Sequence, residues 1–285
     1  MRFGNLDGRA AVFADAGAID VAKASAGRFG PDPQDVYAVW DEFRAWAEGL
    51  TGPWESYDEA ALGAPAPKPG QVFAIGLNYA NHAAESGFTA PAEPAVFTKF
   101  QSSITGPYST VELPTETVDY EAEMVVVIGR AAHRVSAADA WDHIAGVTIG
   151  QDLSERTLQL VGPAPQFSLG KSFPGFAPTG PWLVTSDELP NRDDLALGCA
   201  VGAETLQDGR TRDLIFTVPV LIERLSAVTP LSPGDLIFTG TPAGVGMART
   251  PQRFLRPGDT LTTWVEGVGE LRTPFTEGVP HKTSR

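Results

Sequence analysis

The residues that could do chemistry fall in three short stretches. Asp119-Tyr120-Glu121-Ala122-Glu123 runs straight into Met124-Val125-Val126-Val127-Ile128. On an extended strand, residues two apart face the same way, so Glu121 and Glu123 project together from the mouth of an apolar run. Two neighbouring carboxylates repel and lose hydration near a core. A hard divalent cation removes both costs and keeps positions open for water or substrate; an exposed acidic strand end is the alternative reading. The second stretch is Gly150-Gln151-Asp152-Leu153-Ser154-Glu155-Arg156-Thr157-Leu158-Gln159. Here a strand gives way to a short helix over 154–161, with Asp152 the expected N-cap. Arg156 and Gln159 follow Asp152 by four and seven, so a carboxylate, a guanidinium and an amide share one side; a capped surface helix would read the same. The third is Asn78-Tyr79-Ala80-Asn81-His82-Ala83-Ala84-Glu85. His82 and Glu85 are three apart, so on a helical turn the carboxylate can orient the imidazole as in general acid–base sites. Such pairs also arise by accident on surfaces.

Other devices are missing. There is no Gly-x-Ser-x-Gly elbow. Gly170-Lys171-Ser172 ends like a phosphate loop, but Pro165 stands where that motif needs its first glycine. Gly244-Val245-Gly246 lacks the third glycine of a dinucleotide fingerprint. With 21 Lys and Arg against 35 Asp and Glu, the net charge of −14 argues against a nucleic-acid or anionic-membrane partner. The single cysteine, Cys199, excludes an intramolecular disulfide and a cysteine-pair zinc site. No apolar run approaches a membrane span and no leader is visible at the start, so the expected location is the cytoplasm.

The elements that must position these groups are mostly strands. The 285 residues hold 30 Gly and 24 Pro spread evenly, which suits many turns between short strands. Strands are expected at 72–75, 95–99, 109–113, 121–128, 144–151, 180–185, 195–201, 235–239, 260–265 and 269–274. Short helices are expected at 80–86, 137–142, 154–161 and 218–227. The segment 63–70, with prolines at alternate positions, reads as a stiff linker. It separates a small N-terminal α+β unit, 1–65, from a larger domain, 70–285. In the small unit, short strands surround Asp7-Gly8 and Ala16-Gly17. A helix over 32–50 carries Val36, Val39, Trp40, Phe43 and Trp46 on one face. The fold class is therefore β-rich α+β.

Taken in order, IGLNYANHAAE (75–85), YEAEMVVVIG (120–129), QDLSERTLQ (151–159), LGKSFPGFAPTGPWLV (169–184), QDGRTRDLIF (207–216) and PGDLIFTGTPAGVG (233–246) resemble the fumarylacetoacetate hydrolase family over about residues 70–275. The resemblance implies that family's mixed β-sandwich roll with a small N-terminal domain, usually in a homodimer. It implies Mg²⁺ or Mn²⁺ held by Glu121, Glu123 and Asp152. It makes His82 and Glu85 the catalytic pair, Lys171 the lysine beside the metal, and Arg156, Gln159 and Thr241 substrate contacts.

The substrate implied is a short 2-oxo or β-dicarbonyl acid, whose adjacent oxygens suit chelation. The His82–Glu85 pair favours hydrolysis of an acylpyruvate-type C–C bond, since a hydrolase must activate water. Oxaloacetate decarboxylation and isomerisation of 2-hydroxyhepta-2,4-diene-1,7-dioate are the family's alternatives. A metal-dependent binding protein without turnover is a further one. Residues 83–94 and 163–166 are expected to select the substrate.

Overall fold

The computed structural model describes residues 1–85, 87, 89 and 91–279. Its main sheet has eleven strands. Along its path run Gly17–Asp20, Arg9–Ala14, Arg2–Leu6, Ala177–Val184, Ile144–Gln151, Ala122–Ile128, Leu236–Phe238, Val72–Gly76 and Ala95–Thr98. A second sheet orders Glu204–Arg210, Ala196–Val201, Thr260–Val265, Gly269–Glu277 and Val111–Leu113. The architecture is the β-rich α+β class that the turn-rich sequence implies.

Ala122–Ile128 lies at the centre of the main sheet, and both its faces are buried. Met124, Val126 and Ile128 pack with Leu197, Val265 and Leu271 of the second sheet and with Leu221 and Ile222 of the helix Val218–Val228. Val125 and Val127 face the other way, into a layer with Phe3, Tyr37, Trp40 and Phe43. A strand covered on both sides needs apolar residues without alternation, which is why this run is continuous.

The N-terminal hairpin turns at Asp7 and Gly8, both with positive φ, as a tight two-residue hairpin turn requires. Its first strand pairs with Ala177–Val184 through Arg2↔Val184 and Phe3↔Leu183. Residues 1–65 thus extend the main sheet, and the helix Trp40–Ala47 lies across its face with Trp40 and Phe43 buried. Asp32 caps the preceding turn Pro33–Val36 by accepting from the Gln34 amide. The strand Glu204–Arg210 is not legible in the sequence, because its polar run ETLQDGR shows neither alternation nor β-branched enrichment.

Candidate metal centre and acid–base pair

The site forms where two antiparallel strands end together. Ala122 pairs with Gln151, so Glu121 and Asp152 come opposite each other, and the Asp152 amide donates to the Glu121 carbonyl at 2.9 Å. Glu123 shares the strand face of Val125 and Val127. One carboxylate oxygen each from Glu121, Glu123 and Asp152 lies within 4.8 Å of the others, and all three residues are buried. The same-face pair and the third carboxylate expected from the sequence are therefore assembled.

Lysines surround Asp152. Lys171 Nζ donates to Asp152 Oδ2 at 2.6 Å and to Glu121 Oε2 at 2.7 Å. Lys99 Nζ takes the other oxygen, Oδ1, at 2.6 Å, and also donates to the Lys171 carbonyl. Sequence reasoning missed Lys99, which arrives from the far edge of the sheet just beyond Ala95–Thr98. On the other side Arg156 Nη2 lies 2.8 Å from Glu121 Oε1 and 2.8 Å from Asp119 Oδ2, while Nη1 donates to Gln159 Oε1 at 2.8 Å.

One expectation is corrected here. Asp152 does not cap the following helix, which spans only Arg156–Gln159; Glu155 does, accepting from the Thr157 and Leu158 amides. Ser154–Glu155 form a short strand instead of the first helical turn. Asp152 is left to the lysines because its side chain turns into the sheet interior.

The His82–Glu85 pair sits on the short helix Ala80–Glu85, with His82 Nδ1 2.9 Å from Glu85 Oε1. Ser86, the expected last residue of this helix, lies outside the described residues, as do positions 88 and 90 of the 83–94 stretch. The helix is anchored by Asn78, whose amide donates to the Phe216 and Thr239 carbonyls and whose Oδ1 accepts from the Phe216 amide. Thr241 is 2% exposed. Its hydroxyl donates to the Ala122 carbonyl at 2.9 Å and accepts from Gln207 at 2.8 Å, which places it in the floor of the site. Gln151 and Gln207, also unforeseen, accept the Glu121 and Ala122 amides and so hold the first carboxylates' backbone.

The electrostatics differ sharply between the two adjacent glutamates. Burial alone would raise Glu121, but Lys171, Arg156 and His82 outweigh it and hold its carboxyl below the ordinary range. Burial, with the charges of Asp152 and Glu121, pushes Glu123 well above that range, and the Gly240 amide offsets only part of it. Burial also lowers the Lys99 ammonium, whereas at Lys171 the charges of Asp152 and Glu121 overcome burial and raise it. Three converging carboxylates, one of them disfavoured as an anion, fit a hard divalent cation: the donors are all oxygen and the added charge relieves their repulsion. Among the described residues no helix is long and apolar enough to cross a membrane.

Residues 71–276 match the family model "fumarylacetoacetate (FAA) hydrolase C-terminal". A mitochondrial oxaloacetate tautomerase of Bos taurus is 41% identical over 215 residues, 75% of this chain and 68% of that protein. A crystal structure from Mycobacterium smegmatis superposes with a TM-score of 0.94 at 55% identity, covering 98% of this chain and all of that one. Maleylpyruvate hydrolase from Sphingobium sp. SYK-6, solved with manganese(II) and pyruvate, superposes with a TM-score of 0.81 at 27% identity over 98% and 100% of the two chains.

Proposed function

The chain belongs to the fumarylacetoacetate hydrolase family, and from that premise we propose a divalent-metal-dependent enzyme that hydrolyses a C–C bond of an acylpyruvate-type 2-oxo acid. The observation that carries this reading is the meeting of three buried carboxylates with Lys171 and Arg156, together with the hydrogen-bonded His82–Glu85 pair. Asp119, Glu121, Glu123 and Asp152 face Lys99, Lys171 and Arg156, all nearly fully buried, so with every group ionised the cluster carries one surplus negative charge. A divalent cation on Glu121, Glu123 and Asp152 reverses that sign, which suits a monoanionic 2-oxo acid.

Bound there, Mg²⁺ or Mn²⁺ would act as a Lewis acid toward the adjacent carboxylate and keto oxygens of the substrate. Lys171 stays protonated and places positive charge where the enolate oxygen of the departing 2-oxo acid develops. His82, its Nδ1 tied to Glu85, uses Nε2 to take a proton from water as that water attacks the distal carbonyl. Breaking the C–C bond then yields one carboxylic acid and the enolate of the departing 2-oxo acid, whose carbon takes up the proton that His82 removed from water, giving the ketone. The negative surface of the chain repels anions, so local attraction rests on the metal, Lys171 and Arg156.

A second reading has support from the tautomerase relatives: proton transfer between carbon and oxygen of oxaloacetate, using the same groups without water attack. The test is metal-dependent turnover of acetylpyruvate, oxaloacetate in its keto and enol forms, and an unsaturated 2-oxo heptanedioate. Cleavage of acetylpyruvate supports the hydrolase. Enol–keto exchange alone supports the tautomerase, loss of CO₂ from oxaloacetate the decarboxylase, and double-bond migration the isomerase. Oxalate binding with no turnover of any of them would leave a binding protein. The same reading includes a homodimer, supported by the strand Ala95–Thr98 ending the main sheet among the described residues, and light scattering at micromolar concentration checks it.

A further inference from the structure

Apart from Thr241, the glycine-rich residues 240–247 have no role in the reaction scheme. Their backbone N–H groups are given to carboxylates of the site. Gly240 N donates to Glu123 Oε2 at 2.8 Å. Gly244 N donates to Glu85, 2.8 Å from Oε2 and 3.1 Å from Oε1. Gly246 N and Met247 N donate to Asp119, at 2.7 Å and 3.0 Å. Close approach explains the glycines. A Cβ at Gly244, where φ is +111°, would lie 2.3 Å from the Leu206 carbonyl oxygen, and one at Gly246 would lie 2.0 Å from that of Arg253 and 2.7 Å from Asp119 Oδ1.

Asp119 is the only one of these acids with no place in the reaction. It is fully buried. Besides the Gly246 and Met247 amides it accepts from the Tyr120 amide at 2.8 Å and from Arg156 Nε at 2.9 Å. Four donors occupy the lone pairs of one carboxylate, so none remains for a metal or for proton transfer. What Asp119 holds is informative: on one side Arg156, which reaches Glu121, and on the other the backbone that holds Glu85 and Glu123.

We propose that Asp119 is a positioning residue, and that residues 240–247 are the strap through which it sets the Glu85–His82 pair in register with Glu121 and Glu123. The inference rests on the reading that these acids serve one reaction, but its decisive measurement does not require turnover. That measurement is amide hydrogen exchange in the full chain. Asp119→Asn touches the strap only at 246 and 247, yet it should speed exchange at Gly244 by about tenfold or more, the scale of one lost charged hydrogen bond. Val126, in the central strand, should exchange as before. Arg156→Lys, which loosens Asp119 from its other side and keeps the charge, should act in the same direction and serves if Asp119→Asn does not fold. Unchanged Gly244 exchange in the folded variants overturns the proposal. So does equal acceleration at Gly244 and Val126, which marks a general loss of stability.

In the active enzyme, Asp119→Asn should lower kcat by about 10–100-fold, the range for residues that orient ligands, with Mn²⁺ affinity kept within about threefold. Loss of Mn²⁺ affinity in parallel with kcat would make Asp119 part of the metal site and overturn the positioning role. A wild-type chain inactive on every 2-oxo acid tested would defeat the proposed reaction while the exchange result still decides the strap.

Discussion

Two regions on one side of Ala122–Ile128, the aromatic layer and the strand mouth, solve opposite problems. Toward the N-terminal helix, Phe3 packs edge-on against Tyr37, Trp40 and Phe43 with ring centroids 5.1–5.7 Å apart. Burial there is favourable by itself and tolerates modest repacking. At the strand mouth on that same side, Glu121 and Glu123 meet Asp152, Lys99, Lys171 and Arg156, where burial is costly and each group depends on a partner at hydrogen-bond distance. The comparison teaches that this chain places its stability in a layer of aromatic rings and the chemistry proposed for it in a buried ionic cluster that such a layer can support but not replace.

The sharpest way to break this division is to remove a ligand. Asp152→Ala should abolish most metal occupancy and lower turnover by more than the roughly 100-fold that outer-shell changes cost. Elemental analysis and a turnover assay on the same sample check it, and full occupancy in the variant would remove Asp152 from the metal site. The acid–base pair comes next. His82→Ala should lower kcat on an acylpyruvate by about 10²–10⁴-fold with metal retained, and Glu85→Gln should lower it less. If His82→Ala turns over the acylpyruvate at the wild-type rate, the reason for preferring hydrolysis is gone.

Phe43→Ala tests the aromatic layer. It should cost about 3–5 kcal/mol of stability by leaving a cavity, measured by denaturant unfolding, while kcat per folded molecule stays near wild type. A large fall in kcat there would show that the two regions are not separable. The smallest effect belongs to an exposed charge. Arg28 and Glu42 form a surface pair at 3.4 Å, and Glu42→Gln should change stability by less than about 1 kcal/mol and activity not at all. A larger change would mean that the surface of the N-terminal segment carries more of the fold than its ring layer suggests.

Local patterns were legible without any coordinates. The continuous run 124–128 announced a strand, and its burial on both faces came from the packing of the sheets. The Asp7-Gly8 turn and the Trp40, Phe43 spacing announced a hairpin and an amphipathic helix. The spacing of Glu121 and Glu123, and of His82 and Glu85, announced which side chains would share a face, because the backbone periods of 2 and 3.6 act between near neighbours. Spacing could not say that Asp152 leaves its helix uncapped and turns inward, or that Glu155 takes the cap. Nor could it say that Lys99, 53 residues before Asp152, ends on its carboxylate. Those outcomes, like the donation of the 240–247 amides to Glu123, Glu85 and Asp119, depend on pairings between strands distant in the chain. A buried charge or amide takes whichever partner the sheet register brings within about 3 Å. That register is a property of the assembled sheets and not of any local stretch of residues.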